Sequence, residues 1–199
     1  MDKQKFEKYM EFFLKENSKL NLISKNDEKY LWEKHVFDSL AIEKFFGKYK
    51  ITDLSSKKLL DIGTGGGFPS VPIALNYPDL QVTALDSIRK KINAIYEIKE
   101  NLHIENLYPI CKRAEAIENI KFDFITTRAV AELKILIPYA IPLLKEDGYF
   151  IAYKSMKAEE EIENADNIIK KFGARVVDII GYRLPLDENF IRNLVIICK

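Results

Sequence analysis

The feature that most constrains this chain is a run of four glycines in five positions, placed straight after a short apolar stretch. It reads Leu59-Leu60-Asp61-Ile62-Gly63-Thr64-Gly65-Gly66-Gly67-Phe68-Pro69. An apolar run of this length that stops at glycine predicts a buried strand entering a tight turn. Glycine is needed where the chain turns sharply and a ligand touches the backbone; a side chain at Gly63 or Gly65 would fill that space.

Downstream, strand-like and helix-like stretches alternate. Strands are expected over 58–62, 81–86, 107–111, 122–127, 148–154, 174–182 and 191–198, with helices near 70–77, 89–101, 131–144 and 157–172. This alternation predicts an α/β fold with a doubly wound, mostly parallel sheet. No helix separates the last two strands, so a long antiparallel hairpin turning through Pro185 to Asn189 is expected. Upstream, Phe6, Tyr9, Met10, Phe13 and Leu14 recur at helical spacing. A break is expected over Asn17 to Lys25. A second helix is predicted from about Glu28 to Phe46, with Leu31, Trp32, Val36, Leu40 and Phe45 on its apolar side and Gly47 ending it. At 199 residues the chain fits one domain with a short extension: residues 1–56 as an N-terminal helical extension, and 57–199 as the Rossmann-like domain.

The ligand of the loop follows from charge. The dinucleotide fingerprint G-x-G-x-x-G would place a third glycine at position 68, which is Phe68. Asp61, two residues before the first glycine, can accept hydrogen bonds from loop amides or from the amino group of a methionine moiety. It would sit badly beside a pyrophosphate of the same charge. S-adenosylmethionine is therefore favoured over NAD. A mostly parallel sheet finished by a C-terminal hairpin is also the methyltransferase variant of the Rossmann plan. Asp86 ends the second strand, where its carboxylate suits either the two ribose hydroxyls or the cap of the next helix. Ala114 and Glu115 follow the third strand, where backbone and carboxylate could read the adenine amino group, or Glu115 could merely start a turn.

The fourth strand closes on Thr126-Thr127-Arg128-Ala129. An Asn or Asp before Pro-Pro, which serves attack by exocyclic amines, is absent. So is a Pro-Cys nucleophile for cytosine carbon; Cys111 follows Ile110. The remaining nucleic-acid targets include atoms with a free lone pair, such as guanine N7, for which orientation rather than proton removal is the catalytic task. Arg128 can bind the cofactor carboxylate or a phosphate, hold guanine O6, or form a surface ion pair. Donation to N7 itself would block the reaction.

Together these residues resemble the RsmG (GidB) methyltransferases, which make 7-methylguanosine in the 530 loop of bacterial 16S ribosomal RNA. The resemblance covers nearly the whole chain. It is carried by Asn21-Leu22-Ile23, His35-Val36-Phe37-Asp38-Ser39-Leu40, the glycine loop through Pro69, Asp86-Ser87 with Lys90-Lys91, Arg113-Ala114-Glu115, Thr127-Arg128-Ala129 and Lys154. It implies cofactor contacts at Gly63, Phe68, Ala114, Glu115 and Arg128, a small-subunit rRNA or assembly-intermediate substrate, and no metal. Asp61, Gly65 and Asp86 complete the expected cofactor set. His35, Asp38, Arg128 and Lys154 are the candidates for positioning substrate. His35 and Asp38 share a helix face and could equally be a buried histidine satisfied by a carboxylate. Lys154, at the carboxyl edge of the sheet, could meet a phosphate. Trp32 and the aromatic residues of the first helix are expected in the core. Two positions depart from the family pattern: Ser70 and Ser155 stand where glycine is usual.

Composition narrows the rest. A hydrophobic content of 47% with 31% charged residues reads as an ordinary globular chain. Two distant cysteines, Cys111 and Cys198, give no metal spacing and suit a reducing compartment. No apolar run approaches the roughly 20 residues that span a bilayer, and the N-terminus lacks a signal-peptide core. A cytoplasmic monomer is expected. The net charge of +1 leaves RNA binding to local clusters such as Lys57-Lys58, Arg89-Lys90-Lys91 and Lys112-Arg113, which are otherwise solvated surface charges. Two other functions fit the same fold: a small-molecule methyltransferase, and a module that binds cofactor or RNA without catalysis.

Overall fold

The computed structural model describes residues 2–186 and 190–199. Seven strands form one sheet in the order β3-β2-β1-β4-β5-β7-β6. They are β1 (Lys58–Ile62), β2 (Gln81–Asp86), β3 (Leu107–Cys111), β4 (Phe122–Arg128), β5 (Leu144–Lys154), β6 (Arg175–Arg183) and β7 (Ile191–Cys198). The first five run parallel, and β7 pairs antiparallel with both β5 and β6. This is the expected plan, and the order reverses between β1 and β4, where open α/β sheets hold their ligands. Of the turn expected over 185–189, residues 187–189 lie outside the described residues.

The helices are α1 (Glu7–Leu20), α2 (Lys25–Glu28), α3 (Ile42–Lys48), α4 (Ser70–Asn76), α5 (Arg89–Leu102), α6 (Leu133–Ala140) and α7 (Ala158–Lys171). Central strands are apolar on both faces because both are covered. One layer packs Phe6, Tyr9 and Phe13 of the N-terminal segment with Phe68, Val71 and Ile95. The other packs Leu136 and Ile137 of α6 and Ala165 and Ile169 of α7 against Leu60, Ile125 and Val195. Phe6, Tyr9 and Phe13 are buried and Trp32 packs at the edge of the same cluster, as expected of core residues.

The N-terminal segment corrects three expectations. First, α1 continues through Asn17 to Leu20 and ends at Asn21, whose φ of 50° is left-handed. Asn17 is kept inside because its side chain donates to Glu28 and accepts from the Ile23 amide. Second, the single helix expected over 28–46 is broken. Ser24 caps the short α2 by accepting from the Asp27 amide, Leu31–Phe37 is a wide π-helical segment, and α3 begins only at Ile42. Third, Gly47 lies within α3 rather than after it. The helix expected over 131–144 is also shorter: α6 stops at Ala140, and a 3-10 turn over Ile141–Leu143 carries Pro142, which has no N–H to continue the ladder. β5 then starts four residues earlier than the 148 expected.

Candidate active site

The glycine loop is fixed from beneath. Gly63 and Thr64 amides both donate to Leu85 O of β2, at 2.8 and 2.9 Å. Asp61 is fully buried below the loop. Its carboxylate accepts from Thr126 Oγ1 at 3.0 Å and the Ser70 amide at 3.3 Å. Of its two expected partners, the structure thus brings Asp61 to a backbone amide just past the loop. Burial pushes its pKa up to about 6, against hydrogen bonds from Thr64, Thr126 and Ser70. Ser70, one of the two departures from family pattern, is buried with its hydroxyl on Thr64 Oγ1. Gly63 and Gly65 have φ of +72° and +59°. A Cβ at Gly63 would meet Val130 at 2.6 Å, while at Gly65 the nearest atom is 3.9 Å away.

Gly63 opens onto a cleft of about 380 Å³ walled by Ile62, Asp86, Ile88, Ala114, Glu115 and Ile135, among others. Asp86 accepts from the Gly65 amide and the Ile88 amide, both at 2.9 Å. It therefore ties the loop to the start of α5. A carboxylate has about four acceptor positions, so two remain for a ligand. Glu115 sits exposed in a 3-10 turn, Ala114–Ala116, on the wall of this cleft.

A larger cleft of about 660 Å³ lies beside it, and the two share Ala129, Val130 and Ala131 as a common wall. Arg128, His35, Asp38 and Lys154 all line the larger cleft. Arg128 Nη1 donates to Lys34 O at 2.9 Å and to Asp38 Oδ2 at 2.8 Å, and Nη2 lies 3.0 Å from His35 Nδ1. Its guanidinium also rests over the Phe68 ring, 5.2 Å from the centroid. Phe68 is buried, so its ring supports Arg128 from beneath and does not itself line either cleft. Asp38 accepts from Tyr182 Oη at 2.6 Å. The π-helical segment is what brings Lys34 O, His35 and Asp38 to one guanidinium; such widened turns recur at functional sites.

Burial, with the Arg128 charge second, lowers the His35 pKa to about 4. The ring is neutral at physiological pH. Arginine only donates, so Nδ1 accepts and the proton sits on Nε2, which is buried without a partner among the described residues. Lys154, a candidate to meet a phosphate, has two of its three donors engaged within the protein. It is buried, donates to Ala131 O at 2.7 Å and pairs with Glu161 at 2.6 Å. It anchors the wall between the clefts to α7. Ser155, the other departure, accepts from Asn193 Nδ2 through its carbonyl. Val130 and Glu161 escaped sequence reasoning. Val130 could have been found from its place just past the β4 end; Glu161 is one acidic residue in a helical turn and carries no such signal.

A parallel sheet closed by an antiparallel hairpin, with a glycine turn and the acid-tipped β2 at its carboxyl edge, defines a Rossmann-like methyltransferase fold. Solved structures agree: a SAM-dependent methyltransferase from Aquifex aeolicus matches with a TM-score of 0.63 at 18% identity, over 88% of this chain and 96% of that one. TYW2 of M. jannaschii, solved with AdoMet, matches at 0.58 and 17% over 78% and 73%. Sequence narrows the class. The GidB family, described as rRNA small subunit methyltransferase G, matches residues 2–189. Ribosomal RNA small subunit methyltransferase G of Bacillus licheniformis is 36% identical over 98% of this chain and 82% of its own length. The protein of that name from Thermoanaerobacter sp. is 39% identical over 98% and 80%. This chain belongs to the GidB family of rRNA small subunit methyltransferases.

Proposed function

We propose that the chain methylates guanine N7 in the 530 loop of 16S rRNA, within the small ribosomal subunit or an assembly intermediate, with S-adenosyl-L-methionine as donor. The smaller cleft suits that donor: bare backbone at Gly63, acceptor capacity at Asp86 and Glu115, and apolar walls from Ile88 and Ile135. Gly63, Gly65, Asp86, Ala114, Glu115 and Arg128 would hold it, with Phe68 beneath Arg128, over a loop that Asp61 supports from below. When bound, it supplies an electrophilic methyl on a sulfonium centre.

The observation that carries the choice of N7 is that, among the described residues, each candidate base in the larger cleft is held by a cation. His35 is held neutral, with Nδ1 occupied by Arg128. Among the described residues, every carboxylate lining the cleft is paired with a cation: Asp27 with Lys34, Asp38 with Arg128, Glu132 with Lys134 and Glu161 with Lys154. A target that must lose a proton before attack is poorly served there. N7 has an available lone pair, so alignment is sufficient. Arg128 uses three of its five N–H donors. The remainder can hold guanine O6, beside N7 but not on it. His35 and Asp38 keep that guanidinium aimed, and Lys154 holds the wall across which the methyl passes.

Unmodified 16S RNA, 30S subunits and assembly intermediates, incubated with methyl-labelled donor, test this reading. The expected product is label in the 530 loop at a guanosine that reductive aniline treatment cleaves, the reaction given by N7-methylated guanosine. Label at a site resistant to that cleavage, or no label with any particle, overturns it.

A further inference from the structure

The guanine reading leaves open what in the cleft tells guanine from adenine. Guanine presents two donors, N1–H and the N2 amino group, beside the O6 acceptor. A carboxylate is their natural partner, and adenine offers that partner a lone pair at N1 instead. Four carboxylates line the larger cleft, and two have both oxygens engaged. Asp38 accepts from Arg128 on one oxygen and Tyr182 on the other. Asp27 accepts from Lys34 on one and Ser24 on the other. Glu132 pairs with Lys134 through Oε2 alone, but it is over half exposed, so water serves its other oxygen.

Glu161 differs. Both of its protein donors fall on a single oxygen: Lys154 Nζ at 2.6 Å and the Leu133 amide at 3.2 Å meet Oε2. Oε1 has no donor among the described residues. The side chain is 21% exposed, open to the cleft but not to bulk water on all sides. Two bonds on one oxygen fix the carboxylate plane, and the acceptor positions left on Oε1 match guanine's two donors in number. We propose that Glu161 is the guanine-selecting residue, its Oε1 accepting from N1–H and the N2 amino group while N7 faces the shared wall. This rests on the guanine reading above. A pocket built to bond a donor rejects the analogue that lacks it, because an acceptor that the bound base has shut off from water is left unpaired.

The test replaces the target guanosine by inosine, which lacks only the N2 amino group, in the RNA or particle that the native protein methylates. Native protein should prefer guanosine by about 10- to 100-fold in kcat/KM, the range of a charge-assisted hydrogen bond. Glu161→Ala should lower kcat/KM on both substrates, because inosine keeps N1–H, but on guanosine by a further factor equal to the native preference, so that the preference collapses; Glu161→Gln, which keeps an acceptor oxygen, should do so to a lesser degree. Donor affinity by calorimetry should stay within about twofold. A Glu161 that merely braces Lys154 would depress both substrates equally; an unchanged guanosine-to-inosine ratio overturns the proposal while the guanine reading stands. No transfer by native protein to guanosine overturns both.

Discussion

The Arg128 guanidinium lies 2.8 Å from Asp38 Oδ2, joining residues ninety positions apart in sequence. Both side chains are nearly buried, at 14% and 7% exposure. The pair locks the N-terminal π-helical segment to the exit of β4, and so makes the helical extension part of the cleft.

Arg128→Lys keeps the charge and loses the fork. One ammonium cannot reach Lys34 O, Asp38 and His35 in the same geometry. The expected stability loss is about 1–3 kcal/mol, read from urea unfolding, with a fall in methyl transfer larger than that loss explains. Full activity at reduced stability would confine Arg128 to a structural role.

His35 gives the protein an acid-sensitive element. Its folded pKa, about 4, lies below the unfolded value of 6.5. Its contribution is therefore fully present above pH 6.5 and lost as pH falls toward 4. Asp61 works the other way: its pKa is raised from 3.8 to about 6, so its contribution is present below pH 3.8 and lost as pH rises through 6. His35→Gln removes the histidine contribution and leaves those of the carboxylates, Asp61 raised and Asp27 and Asp123 lowered. The stability advantage of native protein over the variant should shrink steadily between pH 6.5 and 4. A constant advantage in denaturant melts across that range would show that His35 is not held neutral.

Gly63→Ala and Gly65→Ala separate folding from binding. Both place Cβ on a left-handed backbone, at about 1–3 kcal/mol each. Only the first also drives Cβ into Val130 at 2.6 Å, so it should be the less stable. Gly65→Ala projects into open space and should mainly weaken uptake of the methyl donor or its demethylated product, by tenfold or more in calorimetry. Native affinity in Gly65→Ala would place the donor elsewhere.

Asp123 serves as a control remote from both clefts. It accepts from the Lys58 amide at 2.9 Å and from Lys57 and Lys145, at the amino-terminal edge of the sheet. Asp123→Ala should lower stability by about 1–2 kcal/mol and leave kcat/KM unchanged at a temperature where the protein is folded.

The strand at 81–86, the glycine turn and the last strand at 191–198 were legible in the chain because their signals are local. An apolar run flanked by glycine or charge forms the same element in nearly any α/β context, and acidic residues at strand ends fall on the carboxyl edge by register alone. The family could be read the same way, from short motifs along one line. The broken helix over 28–46 could not be. Its apolar spacing fits an unbroken helix, and only the folded molecule supplies Arg128 to the Lys34 carbonyl and the Tyr153 hydroxyl to the Ser39 carbonyl. Lys154 likewise reads as a free cation until α7 brings Glu161 to it. Which charges are spent and which are left for a ligand is settled by partners distant in sequence, because a hydrogen bond is fixed by distance and direction in space.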